Sequence, residues 1–453
     1  MSLDGAPPTG LIDPAPSAIL GYGRAATLAR LGGWAIRSGL AVFDQGCISG
    51  GNLLLYFFLA RSLSPQEYGV FATVFAVYML LLGVHTGLIQ DPMSVLGNAV
   101  YGDDLVGYCP RVLRFHMLLT LSLAAPTTVV GAWFLWGSQD LLARPLGEAL
   151  LALGISLPFL LLLWLSRRMA YLYLAPQQAA LNAVMYTGLL LSGMAALRAT
   201  KHVSVATAFI VMALVSGAAG TVLLARLGAL RRSSGGTADV IRHHIHFGKW
   251  LVALALFSWL ARDAYYLLAA GLIGSAEAGA LRAVGNLVSP LEQTQTALGL
   301  LLMPWLSSLC FRGLRERLRR RVLQFTIAMT ALSLGYLVVL WLVAPRVLQL
   351  VYKDKYDAFA WMIPWLALLQ VMRAVSIGAL LYLMVNQKTR LIFYASMGAG
   401  TVTVLGALLV RWGALRGLVY SMELSFLVAA VLTVVFFQKS VASECAPPET
   451  GRA

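Results

Sequence analysis

Apolar residues run through this chain in long stretches, broken at intervals by short polar ones. Windows of roughly 20 apolar residues are long enough to cross a bilayer as helices. Taken in turn they predict about twelve helices. The first six lie near 38–60, 68–89, 112–136, 147–166, 177–197 and 203–225. The second six lie near 249–272, 280–308, 322–345, 358–385, 389–410 and 414–437. The expected fold class is therefore all-α and integral to a membrane. A basic amphipathic segment from Arg24 to Arg37 leads into the first window and is expected to lie along the interface. Residues 1 to about 23, rich in Pro, Gly and Ala, read as a disordered tail. The first apolar run begins late and is long enough to span, which favours a retained helix over a cleaved signal.

The pattern repeats. The run from Leu63 to Ala72 aligns with that from Ile273 to Arg282, so that Glu67-Tyr68-Gly69 matches Glu277-Ala278-Gly279. Asp91-Pro92-Met93 has a near counterpart in Met303-Pro304-Trp305. Two similar multi-helix halves are a common design of secondary transporters, which rock one half against the other around a central site. The organisation expected is a tail with an interfacial helix (1–37), a first lobe (38–226), a linker with Ser233-Ser234-Gly235-Gly236 (227–248), a second lobe (249–437) and a tail (438–453).

Composition agrees. Of 453 residues, 59% are hydrophobic and 12% charged, about half the charged share of a soluble protein. The net charge of +15 sits largely in loops between apolar runs. That suits membrane orientation and anionic headgroups, and no soluble domain is left to hold nucleic acid. Loops on one side carry more than twice the Lys and Arg of the other, which places both termini in the cytoplasm. Cys47, Cys109, Cys310 and Cys445 are scattered and act as small apolar fillers. No phosphate-binding loop, His-Glu-x-x-His motif or cofactor signature is present. His243-His244-x-His246 reads as a solvated loop cluster rather than a metal site, and His85 and His116 as lone histidines.

Several charges lie where lipid should not tolerate them. Arg262, Arg282, Arg373, Asp44, Asp263, Glu292 and Glu423 fall inside apolar windows. Each costs about 2.5–3.5 kcal/mol or more at mid-bilayer unless paired or facing water. In the eighth window Arg282, Asn286, Ser289, Gln293 and Thr296 recur every three or four residues, forming one helical stripe beside Glu292. Gln45, Ser49 and Asn52 form a shorter stripe in the first window, with Asp44 adjacent. Arg262 and Tyr265 follow Ser258 in the seventh, and Gln370, Arg373 and Ser376 lie in the tenth. These stripes suit a cationic, amide-rich cavity. Arg offers phosphate a planar fork of donors, and Asn286, Gln293, Gln370, Gln45, Asn52 and Tyr265 suit sugar hydroxyls. The plainer alternative is ion pairs that fix helix register, with Arg262 or Arg282 against Asp263 or Glu292. Asp44, Asp263 and Glu292 are the candidates for carrying a coupling proton or sodium ion.

The stretch Leu59-Ala60-Arg61-Ser62-Leu63-Ser64-Pro65-Gln66-Glu67-Tyr68-Gly69-Val70-Phe71 resembles the first outer loop of polysaccharide biosynthesis proteins of the O-antigen flippase (Wzx) type. These belong to the multidrug/oligosaccharidyl-lipid/polysaccharide exporter superfamily. Arg262-Asp263 with Gly279 and Ala283, and Tyr352 with Tyr356, are similar to later parts of that family. The resemblance implies a bacterial inner-membrane flippase with two six-helix lobes in a V. It implies outward movement of undecaprenyl-pyrophosphate-linked oligosaccharide by alternating access, in company with glycosyltransferases and a polymerase. It also implies a cationic lumen for pyrophosphate, onto which Arg262, Arg282 and Arg373 map by location. The alternatives are a drug exporter of the same superfamily, which would favour an acidic cavity, and a non-transporting part of an export assembly. A membrane glycosyltransferase would need a large outer loop or catalytic domain that is not seen.

Overall fold

The computed structural model describes residues 24–137, 143–230 and 235–445. The N-terminal tail before Arg24, Ser233 and Ser234 of the linker, and the tail from 446 lie outside them. Helices follow one another as α1 (Arg24–Ser62), α2 (Pro65–His85), α3 (Asp91–Ala99), α4 (Leu105–Trp136), α5 (Ala143–Leu172), α6 (Pro176–Ala199) and α7 (Val205–Arg226). The second half continues with α8 (Ala238–Arg262), α9 (Ala264–Leu272), α10 (Ser275–Phe311), α11 (Arg315–Tyr352), α12 (Met362–Val385), α13 (Thr389–Gly406), α14 (Val410–Gly413) and α15 (Leu415–Cys445). No strand occurs among the described residues. Eleven helical stretches there are long and apolar enough to cross a membrane, and α1 adds a helix of 39 residues.

All twelve expected windows fall on helices, with three local corrections. The interfacial segment 24–37 is continuous with the first window in the single helix α1. The seventh window breaks at Asp263 into α8 and α9, and α8 starts at Ala238, inside the stretch read as linker. The second window runs through a π-helical turn, Thr86–Gln90, before α3.

Within the first half α4 lies along α5, α5 along α7 and α1 along α6; within the second, α11 lies along α12 and α15 packs on α12 and α13. The halves meet through α2 against α10, with α1 touching α10 and α2 touching α8. That arrangement gives the sequence repeat a physical cause. The two Glu-x-Gly motifs face each other where α2 and α10 begin. A Cβ on Gly69 would overlap the Ser275 carbonyl, and one on Gly279 the Pro65 carbonyl. Only glycine allows backbones this close. Ser64 caps α2 in a reciprocal box, with its backbone N–H donating to Glu67 at 2.9 Å and its Oγ accepting from the Glu67 N–H at 3.2 Å.

Around these glycines an aromatic plug joins the halves. Tyr68, Phe71, Tyr352 and Tyr356 are buried in one shared core. Asn286 Nδ2 donates to the Tyr68 hydroxyl at 2.8 Å, and the Tyr352 hydroxyl donates to the Ala283 carbonyl at 2.8 Å. Lys355 Nζ crosses to the last turn of α1, donating to the carbonyls of Arg61 (2.8 Å) and Leu63 (2.7 Å).

Toward the other end, the first half of α8 docks on the opposite lobe. Pro92 has no N–H to give the Leu88 carbonyl, and His244 Nδ1 donates to it instead at 3.0 Å. With that proton placed, His244 Nε2 accepts from the Tyr108 hydroxyl at 2.8 Å. All three histidines of this cluster lie on α8 rather than in a loop; His244 is fully buried, which corrects the solvated reading for it, while His243 and His246 are exposed. No group of His, Cys, Asp or Glu that could hold a metal occurs among the described residues. His85 and His116 are not isolated either: His85 Nε2 and His116 Nδ1 lie 2.9 Å apart, at hydrogen-bond distance, and the two rings are buried together.

Candidate functional site

Between the halves lies a cavity of about 530 Å³, walled by α1 and α2 on one side and by α8–α10 and α12 on the other. The stripes read from the first and eighth windows face each other across it. Gln45 Nε2 donates to Ser49 Oγ (3.3 Å), and Ser49 Oγ donates to Gln293 Oε1 (3.2 Å), bridging α1 to α10. Asn52 lines the cavity one turn on, its Oδ1 accepting from the Tyr186 hydroxyl at 3.3 Å. Asn286 and Gln370 complete the amide lining.

The charges form a network rather than a uniform positive wall. Glu292 receives Arg373 at 2.7 Å and stands 4.0 Å from Arg262, which also reaches Asp263 at 3.4 Å. Arg373 lies behind the lining and further donates to Thr296 Oγ1 at 2.8 Å. The register-fixing pairs considered from sequence therefore exist for Arg262.

Arg282 is different. Among the described residues no carboxylate forms an ion pair with it. Its guanidinium carbon lies instead over the rings of Tyr56 (4.6 Å), Phe75 (4.8 Å) and Tyr266 (5.3 Å). A partly buried cation over ring faces gains about 0.5–2 kcal/mol. The rings hold the guanidinium without neutralising it. Its Nε is buried with no hydrogen-bond partner, and Arg282 lines the cavity. Three arginines against two carboxylates leave the described site with an excess positive charge, carried by Arg282.

Nine of the twelve sequence-derived residues line the cavity: Arg262, Arg282, Asn286, Gln293, Gln370, Gln45, Asn52, Asp263 and Glu292. Arg373 stands one layer back. Asp44 is buried on the far face of α1, where it accepts from Arg167 Nη2 at 2.7 Å and from the Tyr171 hydroxyl at 2.6 Å. Arg167 sits at the edge of the predicted fourth window and reads there as a loop charge. It is instead inside α5, its side chain 7% exposed. Tyr265 points away into the second half, donating to Thr403 Oγ1 (3.1 Å) and the Ser421 carbonyl (3.0 Å). The break at Asp263 shifts the helical phase, so Tyr266 takes the place expected for Tyr265.

The sequence reading missed the aromatic wall of Tyr56, Phe75 and Tyr266. For Tyr56 a signal existed, since it continues the stripe Gln45, Ser49, Asn52 by one more turn. Phe75 carries none, because an aromatic in an apolar run is ordinarily core.

Comparison with known proteins places this architecture. The family model described as polysaccharide biosynthesis protein matches residues 112–361. No curated protein sequence matches the chain. Among solved structures, the chain is similar to an inward-facing multidrug resistance MATE family transporter of the MOP superfamily, with a TM-score of 0.74 at 13% identity over 89% of this chain and 96% of that one. It is also similar to the lipid II flippase MurJ in an inward closed conformation, with a TM-score of 0.71 at 12% identity over 90% of this chain and 87% of that one. A third is a MOP superfamily transporter from Pyrococcus furiosus, whose binding pocket is described as reversed in polarity, with a TM-score of 0.66 at 14% identity over 91% of this chain and 96% of that one. At such identities the likeness is one of fold.

Proposed function

Because this chain belongs to the polysaccharide biosynthesis protein family, with the fold of MOP superfamily transporters, we propose that it is a flippase for lipid-linked oligosaccharide in the bacterial inner membrane. Its substrate would be a glycan on undecaprenyl pyrophosphate, made by glycosyltransferases on the cytoplasmic face and passed to a polymerase beyond. Arg282 is the single observation that carries this reading: a half-buried cation facing a cavity, held by rings and free to meet an anion. A drug cation would be repelled there.

The rest of the lining supports the same reading. Stripping a sugar hydroxyl of water costs roughly 2–7 kcal/mol, and the amides of Asn286, Gln293, Gln370, Gln45 and Asn52 offer replacement hydrogen bonds. Tyr266 and Tyr56 supply faces for sugar rings. With both termini cytoplasmic, the paired Glu-x-Gly glycines and the Tyr68–Tyr356 plug become the periplasmic seal, and alternating access opens it. Asp263 and Glu292, tied to Arg262 and Arg373, are where a proton or sodium ion would loosen the network.

The test is flipping of undecaprenyl-pyrophosphate-linked glycan in reconstituted vesicles. Arg282→Gln should lower the rate at least tenfold, about the 1.4 kcal/mol of one lost charged contact. Arg282→Lys, a charge without the planar fork, should fall between. Wild-type flipping by the Gln variant, with equal protein in the membrane, would refute the assignment.

A further inference from the structure

The cavity does not account for the densest positive charge on the protein. At the start of α11, Arg317, Arg320, Arg321 and Gln324 line a surface pocket of about 330 Å³. Their spacing of three, one and three residues puts them on one face of the helix. Arg321 Nη1 donates to Gln324 Oε1 at 3.2 Å, and its guanidinium lies 5.2 Å from the Trp305 ring on α10. Among the described residues none of these three arginines is in an ion pair.

This is an unfavourable place to gather positive charge. Like charges three and four apart on a helix repel, and the N-terminal turn of α11 already carries the positive end of the helix dipole. A bound anion relieves both effects, and three guanidinium forks converging on one pocket match the oxygens of a phosphate.

The surroundings say which phosphate. One turn further along α11 the surface becomes apolar, with Leu323 59% and Ile327 60% exposed. Trp305 beside the pocket is half-exposed, as tryptophans are where headgroups meet acyl chains. A free phosphate would use the arginines alone; a lipid uses the arginines and the apolar turn below them.

We propose that this pocket is a binding site for an anionic phospholipid, its headgroup phosphate held by Arg317, Arg320 and Arg321 and its acyl chains lying along Leu323 and Ile327. The site is separate from the cavity and does not depend on what the cavity transports. By the charge of its loops it faces the cytoplasmic leaflet, where anionic headgroups attract clustered arginines.

Native mass spectrometry of the full chain with added phosphatidylglycerol or phosphatidylcholine tests this. Wild type should retain phosphatidylglycerol at least tenfold more than phosphatidylcholine. The triple variant R317Q/R320Q/R321Q should lose that preference while keeping the wild-type melting temperature. Leu323→Ser with Ile327→Ser should weaken phosphatidylglycerol retention severalfold with the arginines intact. Equal phosphatidylglycerol retention by the triple variant would overturn the site. Displacement of the lipid by inorganic phosphate at equal concentration would overturn the lipid assignment in favour of free phosphate.

Discussion

Gly69→Val should hold the seal between the lobes open and reduce glycan flipping roughly 5- to 150-fold, with Gly279→Ala giving a milder form of the same defect. The side chain at Gly69 would meet the Ser275 carbonyl, which is backbone inside α10 and cannot turn aside. The overlap is relieved by moving α2 away from α10. Overpacking of this kind costs about 1–3 kcal/mol. Under the alternating access proposed above, the cost falls on the closed conformation, the one in which Gly69 and Gly279 approach the opposite backbone. A penalty of that size on one of two states shifts their populations by about the same 5- to 150-fold. The helix packing within each lobe is untouched by either change, so both variants should reach the membrane in normal amount. Spin labels on the first turns of α2 and α10 should report a longer separation in Gly69→Val. Unchanged separation with normal flipping would show that the glycine contact does not govern closure.

Breaking the buried Asp44–Arg167 pair should be the most damaging single change to stability. The carboxylate accepts from Arg167 Nε (3.2 Å) and Nη2 (2.7 Å) and from the Tyr171 hydroxyl. The Trp164 ring lies 5.1 Å from the guanidinium. Removing one partner strands a charge in a dry interior, at about 3–5 kcal/mol, whereas removing both can be nearly neutral. Asp44→Leu and Arg167→Leu should each lower the melting temperature of detergent-purified protein by many degrees, and the double variant should recover most of the loss. If Asp44→Leu alone leaves the melting temperature unchanged yet stops flipping, the pair is not structural and Asp44 returns as a coupling carboxylate.

Much of this molecule is local in origin and so could be read from the chain. Hydrocarbon forces every backbone polar group to find its partner within a helix, so apolar length alone located all twelve windows. The stripe Arg282, Asn286, Gln293 was legible because one helix carries it and 3.6-residue periodicity needs no partner. The repeat was legible as a pattern, though not as a contact. What failed did so at breaks and across distance. Tyr265 was chosen by extending α8 in phase through Asp263, where the helix in fact restarts. Arg167 looked like a loop charge because its partner lies 123 residues away.

The amino-acid order by itself determined a helical membrane protein with a duplicated half and a polar face on α1 and α10, since those depend only on hydropathy and period. Tertiary packing alone decided which charge stays unneutralised. Arg262 and Arg282 are alike in sequence, each an arginine within an apolar window. One lies within reach of Asp263 and Glu292; the other is enclosed by Tyr56, Phe75 and Tyr266. Only the meeting of α1, α2, α9 and α10 puts ring faces, rather than a carboxylate, against that second guanidinium and leaves its charge to act on the cavity.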